Sequence, residues 1–220
     1  MDMETILQFF SDKSAWELTA VVLGLAYLLL AMRESLWCWP AAFVSTAIYT
    51  WLFWHVSLLM DSALNVYYMA MAVYGFWAWR FGGGPNQEKE LTISRWSSRM
   101  HVIVITSVIA ISLASGYLLA ENTTAVWPYL DSFTTWASVL TTYMVARKIL
   151  ENWIYWIVID AVAMVLYVER GLYFTAGLFA IYLVLCVFGF IAWRKQLKES
   201  SVSESKFEGD DEGNDSHAIA

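Results

Sequence analysis

The sequence predicts an all-α membrane protein of seven transmembrane helices, and three observations predict it. Of 220 residues, 59% are hydrophobic and only 15% charged, where a soluble domain carries about a quarter charged. The charges are also segregated: long runs hold almost none, while residues 195–220 hold most of the acidic excess behind the net charge of −7. The third observation is a repeat. GFWAWR (Gly75 to Arg80) recurs as GFIAWR (Gly189 to Arg194), and sliding residues 33–80 onto 147–194 without a gap matches 15 of 48 positions. Arg33/Arg147, Leu36/Leu150, Trp39/Trp153 and Tyr68/Tyr182 are among the matches. A repeat of this kind in an apolar chain predicts a duplicated helical bundle.

The elements follow in order. Residues 1–14 include Asp2, Glu4 and Asp12 and lack a basic stretch leading into a short apolar core, so they predict a short N-terminal segment rather than a cleaved signal. About 20 mostly apolar residues are needed to cross a bilayer. Runs at 15–32, 36–54 and 58–80 meet that need and are joined by very short connections, so they predict antiparallel neighbours and a first repeat over 15–80. Residues 81–99 open with FGGGPNQEKE and predict a surface loop. A fourth run, 100–119, is the connector. Runs at 132–147, 150–168 and 171–193 make the second repeat, 132–194. Residues 195–220 are polar and acidic and predict a disordered tail.

Orientation follows from the 13 basic residues. Lys13 and Arg170 fall on the side of the N-terminus, and the other eleven, from Arg33 to Lys206, fall opposite. The asymmetry predicts an external N-terminus and a cytoplasmic C-terminus, which an odd number of spans requires. Four helices separate equivalent positions, so the two repeats enter the membrane in the same direction. A site is then expected between them near mid-depth.

Ionisable groups inside spans mark that site, since each costs about 2.5–3.5 kcal/mol at a helix centre on insertion scales. Asp160, flanked by IVI and AVA, is the clearest, and Asp61 is the second. Glu17, Glu151 and Asp131 lie near span ends and read as interfacial charges. Trp153, Trp156 and Asp160 share one helix face. Two indoles beside a carboxylate suit a flat cationic ligand, while an interfacial aromatic belt is the competing reading of the two tryptophans. Asp61, Asn65 and Tyr68 share a face of the third helix, with Asn65 open to either ligand contact or interhelical bonding. Tyr68 is kept as Tyr182 in the other repeat, which favours a structural role, as with Gly75/Gly189 and Trp79/Trp193. Trp156 and Asp160 instead replace Ala42 and Thr46, and such divergence within a duplicated frame marks specialisation.

Enzyme signatures are missing: His55, His101 and His217 are isolated, and no GxSxG, HExxH, Walker or Cys/His metal spacing occurs. Cys38 and Cys186 read as small packing residues within apolar runs. The seventh run lacks a lysine, so a retinal Schiff base is not supported. No basic stripe exists for nucleic acid. Thus no enzyme, metal or cofactor is predicted, and the expected partners are a small molecule and the lipid bilayer. Self-association into a homo-oligomer is left open.

Three segments carry a resemblance: YYMAMAVYGFWAWR, RKILENWIYWIVID and GLYFTAGLFAIYLVLCVFGFIAWR. With them the chain resembles the Pnu family of vitamin transporters over roughly residues 15–196. The resemblance implies a 3+1+3 arrangement similar to a full-length SWEET fold. It also implies residence in a bacterial inner membrane and import by facilitated diffusion, with trapping by cytoplasmic phosphorylation. It implies a substrate site lined by a WxxWxxx(N/D) pattern, here Trp153, Trp156 and Asp160. Riboside carriers of the family usually show Asn at the last of these positions and Gln where this chain has Asn65. Those departures favour thiamine, whose thiazolium is permanently charged, over nicotinamide riboside. A riboflavin carrier gives no reason for the acid. The competing class is a membrane receptor or scaffold that binds without moving its ligand; the short loops leave little surface for partners.

Overall fold

The structure, a computed structural model, describes residues 13–55, 59–82, 90–123, 126–169 and 173–215, without the side chains of residues 13–14, 59–61, 174–175 and 201–215. The expected N-terminal segment, and residues 83–89 of the expected loop, lie outside the described residues. The helices are α1 (Lys13–Met32), α2 (Cys38–His55), α3 (Leu59–Phe81), α4 (Ser98–Asn122), α5 (Pro128–Ala146), α6 (Asn152–Glu169) and α7 (Tyr173–Asp215). Most ends fall within two or three residues of the predicted runs. α5 starts earlier, at Pro128, because a fixed φ and a missing N–H suit proline to the first helical position.

Four helices, α1, α4, α6 and α7, are long and apolar enough to cross a membrane by length and composition alone. α2 and α5 carry threonine hydroxyls that close on their own helices. Thr46, Thr50, Thr141 and Thr142 each donate to the carbonyl four residues back. A polar group satisfied inside its helix does not forbid a span.

Six helices close a ring. α1 packs on α2, α2 on α3, α3 on α5, α5 on α6, α6 on α7, and α7 returns to α1; α4 lies outside, packed on α5. The contacts α3·α5 and α1·α7 are therefore the two seams between the repeats, and they are equivalent under the repeat. Both short turns meet the C-terminal parts of α3 and α7 at one end, so the halves run in the same direction. That end carries Arg33, Arg80, Arg147 and Arg194 and is called the basic end below.

At the basic end the two halves are built alike atom by atom. Trp39 and Trp79 meet edge-on with ring centroids 5.3 Å apart, and Trp153 and Trp193 do so at 5.4 Å. Trp39 lies on Gly75 and Trp153 on Gly189 so closely that a Cβ on either glycine would overlap the ring. Trp79 donates its indole N–H across one seam to the carbonyl of Val145, and Trp193 across the other to Ala31. Val145 and Ala31 are again equivalent positions. The Trp79 and Trp193 rings meet at 6.0 Å in the middle.

The turns match too. In the first, the Glu34 N–H donates to Ala31 and the Ser35 N–H to Leu30; in the second, the Lys148 N–H donates to Val145 and the Ile149 N–H to Met144. Each is a Schellman ending, whose penultimate residue is usually a left-handed glycine. Here that residue is Glu34 (φ 52°) and Lys148 (φ 49°).

Beyond the seventh apolar run, α7 continues as helix to Asp215. A helix already nucleated by a long apolar span extends at little further cost, and Lys195 and Glu199, 3.8 Å apart one turn from each other, support the extension.

Candidate functional site

Asp160 is the centre of the site. It is 5% exposed, midway along α6. By helix rise it lies on the order of 12 Å from the basic end of its helix. The Cys186 thiol on α7 donates to its Oδ2 over 3.7 Å, and a thiol is a weak donor. Among the described residues the ion pairs lie elsewhere, and no cationic side chain meets this carboxylate. Tyr182, one turn from Cys186, is within electrostatic range of Asp160 and of Tyr49 on α2. Its hydroxyl reaches across to α1, 3.9 Å from where a Cβ on Gly24 would stand.

The other predicted residues separate. Trp156 is half-buried against the basic-end core. Trp153 is 1% exposed, with Gly189 and Trp193 against its ring. It occupies the place that Trp39 has in the first half, and both indoles leave the N–H without a protein acceptor. Asn65 is buried on α3, and Tyr68 is half-buried beside Tyr67 with centroids 5.8 Å apart. Asp61 falls in the first turn of α3, towards the end away from the basic end; its side chain lies outside the described residues.

Tyr27, on α1, is within electrostatic range of both Tyr68 and Cys186. Tyr27, Tyr182 and Cys186 were not among the residues the sequence singled out for the site. Cys186 carried a usable signal, because its repeat equivalent is Ala72, and divergence within the repeat also sets Asp160 apart. A concavity of about 400 Å³ lies elsewhere: Trp16, Phe43, Ala47 and Trp51 line it between α1 and α2, and its apolar walls suit an acyl chain rather than a charged ligand.

Chemically, the described residues place the Asp160 carboxylate midway along α6, with the Trp156 indole one turn nearer the basic end. That set suits reversible binding of a ring-bearing cation.

Comparison with known proteins follows this geometry. The family described as Nicotinamide mononucleotide transporter matches residues 14–195. The riboflavin/roseoflavin transporter RibM of Streptomyces davaonensis is 26% identical over 188 residues, covering 84% of this chain and 87% of that one. The nicotinamide riboside transporter PnuC of Escherichia coli (strain K12) is 22% identical over 213 residues, covering 86% and 88%. The crystal structure of the vitamin B3 transporter PnuC superposes with a TM-score of 0.68 at 20% identity, covering 89% of this chain and 87% of that chain. That last likeness is one of fold.

Proposed function

The chain belongs to the nicotinamide mononucleotide transporter family, a family of membrane transporters and not of enzymes, and from that premise we propose that it imports a cationic, ring-bearing B vitamin by facilitated diffusion. The observation that carries the reading is Asp160, an acid at mid-membrane depth whose only hydrogen-bond donor among the described residues is a thiol. A lone carboxylate in that setting is costly, and a positively charged substrate offsets the cost. Trp156 supplies the ring face on the same side of α6, and Asn65, Tyr68 and Asp61 add polar contacts from α3.

Nicotinamide riboside is the substrate put first. Its pyridinium satisfies Asp160, and the E. coli relative bears its name. Thiamine draws no support from the relatives named above. It stays as the second reading on one observation, the acid at 160 and Asn65 where riboside carriers usually have Asn and Gln. The basic end is proposed to face the cytoplasm of a bacterial inner membrane, on the asymmetry of lysine and arginine. Phosphorylation there would trap the vitamin.

Uptake by proteoliposomes without an ion gradient tests this. Saturable entry of labelled nicotinamide riboside is the expected result. Entry of thiamine alone moves the assignment to the second reading, and entry of riboflavin alone removes the counter-ion role of Asp160. Saturable binding with no entry of any of the three would make the protein a receptor and end the proposal.

A further inference from the structure

The repeat places residues 34 and 148 at equivalent positions, 114 residues apart, and evolution has given them opposite charges. The Lys148 Nζ lies 2.6 Å from the Glu34 Oε2, with side-chain exposures of 5% and 19%. The same ammonium sits 4.7 Å from the Trp79 ring centroid. Both residues hold a left-handed backbone that glycine would adopt more easily, so strain is kept at both positions while glycine is absent from both. Around them stand the two mirrored indole bonds that cross the seams, Trp79 to Val145 and Trp193 to Ala31. The pair thus sits on the internal twofold axis, at the basic end and between the two seams.

We propose that Glu34 and Lys148 are the gate at the basic end, an ionic latch between the repeats that parts and re-forms in each transport cycle. This rests on the reading of the chain as a transporter. A pair on the axis between two rocking halves is separated by any motion that opens that end, whereas pairs within one half ride along unchanged. Coulomb attraction between such groups is strong where water is excluded and weak where water enters. The latch therefore releases once opening begins to wet it. Left-handed backbone at both residues aims the two side chains inward from their turns, which is a role that glycine, without a side chain, cannot fill.

The twofold axis gives an unusual test. Because both positions share one backbone conformation, the exchange Glu34→Lys with Lys148→Glu should rebuild the latch, with Trp193 available to the new lysine as Trp79 is to the old one. Cys38 reports on opening without any vitamin: it is fully buried at the start of α2, just behind the latch. The full chain in detergent is treated with a maleimide, and peptide mass spectrometry follows labelling at Cys38 separately from Cys186. Wild type should label slowly. Lys148→Met and Glu34→Gln should each label at least several-fold faster, and the double exchange should return near wild type. Glu34→Asn guards against misfolding, since asparagine tolerates left-handed backbone yet carries no charge; it should stay monodisperse and still label fast. Single variants that label as slowly as wild type would overturn the latch, as would an exchanged pair that labels as fast as the single variants. Vitamin uptake, measured on the same proteins, separates the two proposals: Cys38 behaving as stated while no vitamin enters would sink the transport reading and leave the ionic contact standing.

Discussion

The turn at 33–37 and the turn at 147–151 share a backbone and differ in chemistry. The two Schellman bonds, the left-handed residue and the helix entry match position by position. Yet Trp37 is 73% exposed, while its counterpart Glu151 is buried and fastened. Arg95 donates to it over 2.8 Å, the Trp96 N–H donates to it at 3.3 Å, and Ser94 bonds the backbone of Lys148 and Leu150 on either side. Among the described residues, the linker after α3 thus bonds the second turn and not the first. Duplication has preserved what packs helices and released what binds, so identity between repeats indicates scaffold and divergence indicates function.

The comparison breaks most visibly at the indoles. Trp79→Ala and Trp193→Ala should each cost about 3–5 kcal/mol, and by similar amounts, in SDS-titration unfolding. A large cost at one and none at the other would show that the seams are not equivalent. Gly75→Ala and Gly189→Ala come next, at about 1–3 kcal/mol from overpacking against Trp39 and Trp153. Thermal midpoints that stay at the wild-type value would mean the rings move aside freely.

Positions that diverged should affect binding and spare stability. Trp156→Ala should lose roughly 1–2 kcal/mol of cation attraction and stacking, seen by calorimetry as about a tenfold rise in Kd. Asp160→Asn should weaken the cationic vitamin at least a few-fold, while Thr46→Val, at the equivalent place, should leave affinity alone. Equal effects at 46 and 160 would erase the distinction between the halves. Glu151→Gln is the smallest case, at about 0–1 kcal/mol, because Arg95 is largely exposed; proteolysis of the 90–97 segment is the sensitive readout, and it should quicken.

Much of this was legible in the sequence. The apolar runs gave seven helices, and the ungapped alignment of 33–80 with 147–194 gave the parallel repeat, because span length and packing both leave periodic traces. Asp160 was legible as a carboxylate where lipid-depth chemistry allows few. The close packing of Trp153 on Gly189 was legible from its match with Trp39, as with Trp79/Trp193 and Gly75/Gly189. Glu34 and Lys148 were hidden because charges at span ends are common and are read as interfacial. Only their equivalence under the repeat, with opposite sign, set them apart. The strap from Ser94 to Trp96 had no trace, since which turn a loop reaches depends on the ring and not on the loop.

One further consequence belongs to α4. The ring of six closes without it, so its contribution is to direction: it carries the chain back to the starting face, allowing the second triplet to insert with the polarity of the first. A shorter ancestral polypeptide, made as separate triplets, would have needed no such inverter, because independent copies already enter the bilayer alike. Fusion into one chain is what made a seventh crossing necessary, and it also freed the two copies to become different.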